Sequence, residues 1–313
     1  MPTEEIDFPS GGATCRGFFQ TPENEDPPYP TVVLGGGWCY VKEIVLTHYA
    51  DRFVDEGIAC LAFDYRNLGE SDVVDQKQHL DPWKQIEDYQ AAITHAQERD
   101  DVSDHQIGIF GISYSGGHSL ILSGIDSRVQ CATSVVPVID GYENMNRAHG
   151  EENFYELLDI VEEDRDRRVH GESGTIPMSR EPGTDWDEGP MEVGTWPWTD
   201  VYETFMELKE TEAPNHNHWN TIESVDHLLN YSVFPYLDRN LNTPVKVIAT
   251  QHDEKTLWDL QVEAYQQLAT DEKELAFVPD ATHMTIYSDE GLLEFAAEEG
   301  AQWFREHLIE PYQ

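Results

Sequence analysis

Basic residues are scarce in this chain. Its 313 residues include 19 Lys and Arg, only seven of them Lys, against 61 Asp and Glu, for a formal net charge of −42. A surface this acidic repels phosphate, which excludes nucleic acid as a partner and disfavours anionic membrane surfaces. Cysteine is equally sparse. Cys15, Cys39, Cys60 and Cys131 stand far apart with no CxxC pair, so neither a zinc site nor a disulfide framework is indicated, and no metal is assigned. Nucleotide-binding patterns are missing: neither G-x-x-x-x-G-K-[ST] nor G-x-G-x-x-G occurs. The N-terminal MPTEEIDFPSGG has no basic region followed by an apolar one, so a cytoplasmic location is expected. The longest uncharged run, Ile107 to Ile125, is too polar and glycine-rich at its centre, GISYSGGHS, for a membrane span. Repeats and low-complexity tracts are absent.

What is present is a large supply of core. Eight Trp, 14 Tyr and 12 Phe must be buried somewhere, which excludes disorder despite the charge. The acids are spread along the whole chain rather than gathered in a tail. At low salt that charge pushes the compact state apart, and at molar salt a Debye length of about 3 Å screens it. The composition therefore points to a halophilic protein of a salt-accumulating cytoplasm.

Short apolar runs at 31–37, 58–65, 105–113, 130–139, 244–250 and 273–279 read as buried strands. Helical patterns at 48–57, 81–99 and 292–308 lie between or after them, the first ending on Gly57 and the second opening on Asp81-Pro82. This alternation predicts an α/β fold with a mostly parallel central sheet and helices on both faces, entered through an antiparallel edge hairpin before residue 31. The rhythm breaks near 141. We therefore expect a first core part over 1–140, an inserted cap or lid over 141–240, and a second core part over 241–313. Four of the eight Trp (186, 196, 198 and 219) fall in the insertion, which suits a lid on an organic substrate.

The strongest chemical signal is IGIFGISYSGGHSL at 107–120, a strand running into a small-residue turn and then an apolar helix. A serine hydroxyl becomes a useful nucleophile when a sharp bend exposes it beside a base. Two registers fit. Ser113 has Gly111 two residues before it and Ser115 two after; Ser115 is flanked by Ser113 and Gly117. We favour Ser113, which follows the apolar strand at once. Asp253 stands just after the strand at 244–250, with Glu254 and Asp140 as rivals, and His283 stands in the loop after the next strand. The order Ser113, Asp253, His283 fits a nucleophile, an orienting acid and a general base on successive strand ends. Three glycines in LGGGWCYVKE let the backbone approach a substrate, so the N–H groups of Trp38 and Tyr114 are the expected oxyanion hole. His216 and His218 form an H-x-H without a visible third ligand and are expected to lie in a solvated loop; Tyr40, Trp258 and the cap Trp residues are candidates for the pocket wall.

Taken together, VVLGGGWCYVKE, FDYRNLGESD, DPWKQIEDYQAAI, GISYSGGHSL, TPVKVIATQHDE and PDATHM resemble a serine α/β-hydrolase of the dienelactone-hydrolase-like or small esterase-peptidase type. The resemblance implies the α/β-hydrolase fold, a Ser-His-Asp catalytic triad and cleavage of a carboxylic ester or thioester without a cofactor. A small-molecule ester is then the expected partner. The same triad serves peptidases, amidases and acyltransferases, and the fold also serves non-catalytic receptors. Such relatives often carry His-Gly where this chain has Gly36-Gly37, and in them Asp64, Arg66 and Gly69 belong to a structural loop.

Overall fold

A computed structural model describes residues 1–313. Eight strands form one sheet in the order β1-β2-β4-β3-β5-β6-β9-β10. These are β1 (Thr3–Ser10), β2 (Ala13–Gln20), β3 (Tyr29–Gly35), β4 (Ala59–Phe63), β5 (Val102–Ile112), β6 (Cys131–Val135), β9 (Val245–Thr250) and β10 (Lys273–Val278). The expected edge hairpin is β1-β2, antiparallel to each other and to β4; from β4 to β10 every pairing is parallel. A two-stranded antiparallel ribbon, β7 (Thr175–Pro177) with β8 (Trp219–Thr221), stands apart from this sheet.

Burial follows sheet position. The interior strands β4, β6 and β9 are buried at every residue, while edge strand β1 alternates toward its end. Both faces of a parallel sheet are covered by helices, so its strands read as continuous apolar runs. In β5, Ile107, Ile109, Phe110 and Ile112 are all fully buried. Each such side chain contributes about 1.5–3 kcal/mol, which fixes the strand that delivers residue 113.

The core helices are α1 (Leu46–Asp55), α2 (Pro82–Gln97), α3 (Tyr114–Ile125), α9 (Trp258–Gln267) and α11 (Glu290–Phe304). Asp81 caps α2 as its sequence foretells, its carboxylate accepting from the Trp83 and Lys84 N–H groups at 2.9 and 3.3 Å. Gly57 follows the end of α1 with φ +85°. The expected strand 130–139 stops early, at Val135. Val136 turns the chain with φ 40°, and Pro137 has no N–H for the ladder.

Residues 136–244 carry α4 (Gly141–Arg168, kinked at Gly150), α5 (Pro190–Val193), α6 (Thr199–Thr211), α7 (Ile222–Leu229), α8 (Phe234–Leu237) and the ribbon. The short α10 (Thr285–Ser288) follows β10. No helix is long and apolar enough to cross a membrane.

Candidate active site

Four loops leaving the carboxyl ends of β3, β5, β9 and β10 supply the residues singled out above. This is the edge where open α/β sheets bind ligands. Ser113 joins β5 to α3 with φ 56° and ψ −115°, a conformation that costs a non-glycine residue about 1–3 kcal/mol. Its neighbours enforce the strain. The Ser113 N–H donates to Val135 C=O at 2.9 Å, and its own carbonyl accepts from Gly116 and Val138 N–H, both at 3.0 Å. Gly111 permits the bend, because a Cβ there would overlap the backbone carbonyl of Ser115.

The two candidate serines differ in their hydrogen bonding. Ser115 is fully buried; its hydroxyl donates to Gly36 C=O and pairs with the Tyr65 hydroxyl at 2.6 Å. It is a strut between α3 and the glycine loop. Ser113 instead lines a narrow cavity shared with His283. Ser115→Ala is accordingly expected to lower stability by about 1–3 kcal/mol, the cost of leaving buried partners unsatisfied, while retaining turnover. Denaturant midpoints and initial rates on the same preparation check this; loss of turnover with unchanged stability would move the nucleophile to Ser115.

His283 donates from Nδ1 to Asp253 Oδ2 at 2.9 Å. Both hydrogen bonds of the ring use Nδ1, the second reaching Thr256 Oγ1 at 3.3 Å, so Nε2 keeps its lone pair. No hydrogen bond joins Nε2 to Ser113 here; such contacts often tighten only when substrate binds.

Asp253 is fully buried, and every lone pair is used. Oδ1 accepts from the Lys255 and Thr256 N–H groups at 2.9 and 2.8 Å. Oδ2 accepts from the Thr256 hydroxyl at 2.6 Å and Gln261 Nε2 at 3.0 Å besides the imidazole. Burial alone would raise its pKa, but the charge and hydrogen bond of His283, with those of Thr256, hold the carboxyl below its ordinary range. Its rival Asp140 caps α4 through the Glu143 N–H.

Gly37 brings the glycine loop against the serine: a Cβ at 37 would sit 3.0 Å from Ser113 Cβ and 2.9 Å from the Tyr40 ring. The Trp38 and Tyr114 N–H groups have no protein acceptor. Residues 216–220 brace this loop from the insertion. Trp38 Nε1 donates to Asn220 Oδ1 at 3.1 Å, and the Cys39 carbonyl accepts from His216 Nδ1 at 3.2 Å.

That last contact corrects the expectation of a solvated H-x-H. His216 is 1% exposed, and its Nε2 meets His218 Nδ1 at 3.1 Å, while His218 Nε2 meets the Ser179 hydroxyl at 2.6 Å. Each neutral ring donates from Nδ1 and accepts at Nε2. Burial pushes their pKa values down to about 4 and about 3. The pair is a hydrogen-bonded chain with no nitrogen left for a metal.

The cavity wall combines Trp38, Tyr40 and Met284 with Met178, Trp196, Val201 and Phe205 from the inserted segment. Of the Trp candidates in the insertion, only Trp196 lines it; Trp258 is 42% exposed and does not. Lys255 also reaches the wall, with its ammonium 2.9 Å from Asp200 and 4.9 Å from the Trp198 ring centroid. Thr256, Gln261 and Asn220 were missed in the sequence. They are ordinary polar residues, set apart only by their burial in the folded chain.

The sheet order, crossover helices and strained serine turn are those of the α/β-hydrolase fold. Solved structures agree. DcsB bound to its substrate analogue superposes with a TM-score of 0.81 at 22% identity, covering 98% of this chain and 99% of that one. An α/β hydrolase from Penicillium, GrgF, gives 0.80 at 21%, covering 98% and 99%. Residues 19–285 match the X-Pro dipeptidyl-peptidase (S15) family, and the chain belongs to it. Two relatives extend the picture. A thiohydrolase of Aspergillus aculeatus, aneE, is 28% identical over 87% of this chain and 82% of its own. A polyketide transferase of Aspergillus fumigatus, af380, is 26% identical over 98% and 99%. The quorum-quenching protein AidA of Acinetobacter baumannii is 35% identical, over 45% of each chain.

Proposed function

We propose that this protein is a serine hydrolase that cleaves a carboxylic ester or thioester through an acyl-enzyme on Ser113. The carrying observation is the His283 ring, held through Nδ1 by a buried, ionised Asp253, with Nε2 free in the cavity that Ser113 lines. In this reading Nε2 takes the Ser113 proton as Oγ attacks the substrate carbonyl carbon. The oxyanion is met by the Trp38 and Tyr114 N–H groups. Collapse breaks the bond to the alcohol or thiol, which leaves with the proton from Nε2. Water, deprotonated by the same nitrogen, then attacks the acyl carbon and frees Ser113.

Residues 141–240 act in this proposal as a cap. Met178, Trp196, Val201 and Phe205 supply an apolar, water-poor wall for the acyl group. That wall also favours acyl transfer as the second reading, since an alcohol or amine competes with scarce water for the acyl-enzyme. The kinship to a polyketide transferase and to an acyltransferase of Aspergillus calidoustus, drtE, supports it.

The test compares p-nitrophenyl esters and acyl thioesters with an X-Pro anilide in molar KCl. Esters and thioesters are expected to turn over with higher kcat/KM than the anilide. Ser113→Ala is expected to reduce kcat by about 10⁴–10⁶-fold with unchanged thermal unfolding. Ester hydrolysis retained in that variant would contradict the proposal, and preference for the anilide would make the enzyme a peptidase.

A further inference from the structure

One cluster of side chains stands outside the cavity and plays no part in the chemistry above. His79 lies in the loop before α2, and Glu223 and His227 are one turn apart on α7. Ligand atoms of the three lie within 4.8 Å of one another. His79 Nδ1 is 3.7 Å from Glu223 Oε2, and His227 Nε2 is 3.9 Å from Glu223 Oε1. A fourth oxygen faces them: Asp81 spends Oδ1 on capping α2 and turns Oδ2 to 4.0 Å from His227 Nε2. The two imidazoles sit edge to face with centroids 5.5 Å apart, which suits convergent nitrogens better than stacked rings.

We propose that His79, Glu223 and His227, with Asp81 as the fourth ligand, form a structural site for a divalent transition-metal ion of the zinc type. Two imidazoles and two carboxylates are a borderline-soft donor set, unsuited to the all-oxygen preference of Mg²⁺ or Ca²⁺. Ligands about 2.0–2.1 Å from a tetrahedral centre stand roughly 3.4 Å apart, so atoms now within 4.8 Å of one another need to close by up to about 1.4 Å. His227 is about one-third exposed and is free to rotate.

Arg168 pairs with Glu223 Oε1 at 2.6 Å and with Asp164 and Asp226 at 3.0 and 2.7 Å, while Arg167 also reaches Asp164 at 3.5 Å. Arg165 is likewise held by Asp226. Lys84 is paired with Asp75 at 3.0 Å. Glu223 shares its charge with Arg168, and Asp81 adds a second carboxylate to offset a dication. His79 Nδ1 also meets the Thr221 hydroxyl at 3.2 Å, a contact that a bound ion would replace.

The location gives the site a purpose. His79 and Asp81 belong to the segment leading into a core helix, while Glu223 and His227 ride on a helix of the inserted segment. A bound ion would pin the two together and stabilise only the folded chain.

Titration of the full chain with Zn²⁺ in calorimetry is expected to show one tight equivalent that millimolar Mg²⁺ does not displace. Bound Zn²⁺ should raise Tm, and Co²⁺ should give visible d–d absorption of a low-symmetry site. His227→Ala, at a position about one-third exposed, is expected to weaken Zn²⁺ binding by at least about 10–100-fold, the loss that even outer-shell partners produce. His105→Ala, an exposed histidine elsewhere, should leave binding unchanged. Zinc affinity and Co²⁺ absorption unaltered in His227→Ala would overturn the proposal, as would binding that Mg²⁺ competes away or that fails to appear.

Discussion

Asp253→Asn is expected to lower kcat about 10⁴-fold while the protein stays folded. The reason lies in the direction of each hydrogen bond. An amide oxygen at Oδ1 still accepts from the Lys255 and Thr256 N–H groups, so the turn after β9 survives. At Oδ2, however, an NH₂ would face the His283 Nδ1–H, donor against donor. The imidazole then moves its proton to Nε2, the nitrogen that must accept from Ser113. Lost charge adds to this, because no carboxylate remains to stabilise the imidazolium. Steady-state rates on an ester, paired with denaturant unfolding, make the check. A fall of less than tenfold would mean that His283 does not act as the base through this contact. Gln261 is fully buried and can flip its amide to meet the new NH₂, which keeps the stability cost to about 1–3 kcal/mol.

Acid should unfold this protein through its histidines before its carboxylates. Four imidazoles are held neutral by burial: His118 and His218 with pKa values pushed down to about 3, His149 and His216 to about 4. In the unfolded chain each binds a proton below about pH 6.5. Stability from these groups is therefore fully present above pH 6.5 and drains as pH falls toward 4, where the folded rings begin to protonate. Each ring costs the folded state about 2.7 kcal/mol by pH 4.5, a sum comparable with the whole stability of a typical domain. Protonating carboxylates also relieves the self-repulsion of a −42 chain, which acts in the opposite direction. Molar KCl screens that term, so the titration belongs there. Denaturant midpoints are expected to fall steadily from pH 7 to 4.5. A flat profile would show that these rings are not buried neutral in solution.

His118 illustrates what such a ring does. It bridges the Tyr231 hydroxyl at 3.0 Å and Gln85 Oε1 at 3.1 Å, fastening α3 to α2 and to the segment before α8. Nothing in GGHSL signals this, because a histidine in a helix reads the same whether it faces water or core.

The sheet and the serine turn were legible for the opposite reason. Strands such as ACLAF, buried on both faces, are apolar at every position, and a bend as tight as that at Ser113 demands Gly111. Periodicity and small residues are local signals, and both are written beside the feature they produce. Asp253 and His283 were legible by their place after strands. The bracing of Cys39 by His216 was not, since it depends on where a long insertion folds back. Ser115 was ambiguous in sequence because either hydroxyl fits the turn, and its bond to Gly36 shows only in the folded chain. The cluster at His79, Glu223 and His227 was invisible for the same long-range reason: its members meet only when α7 packs beside the loop before α2.

The central claim is that Ser113 is the nucleophile activated by His283. Incubation with a fluorophosphonate, followed by intact mass and peptide mapping, tests it most directly. Attack of the Ser113 oxygen on phosphorus with departure of fluoride predicts one covalent adduct per chain on Ser113, with no adduct in Ser113→Ala and a strongly slowed one in His283→Ala. Protein that hydrolyses esters yet takes no label, or carries it on Ser115, would contradict the account.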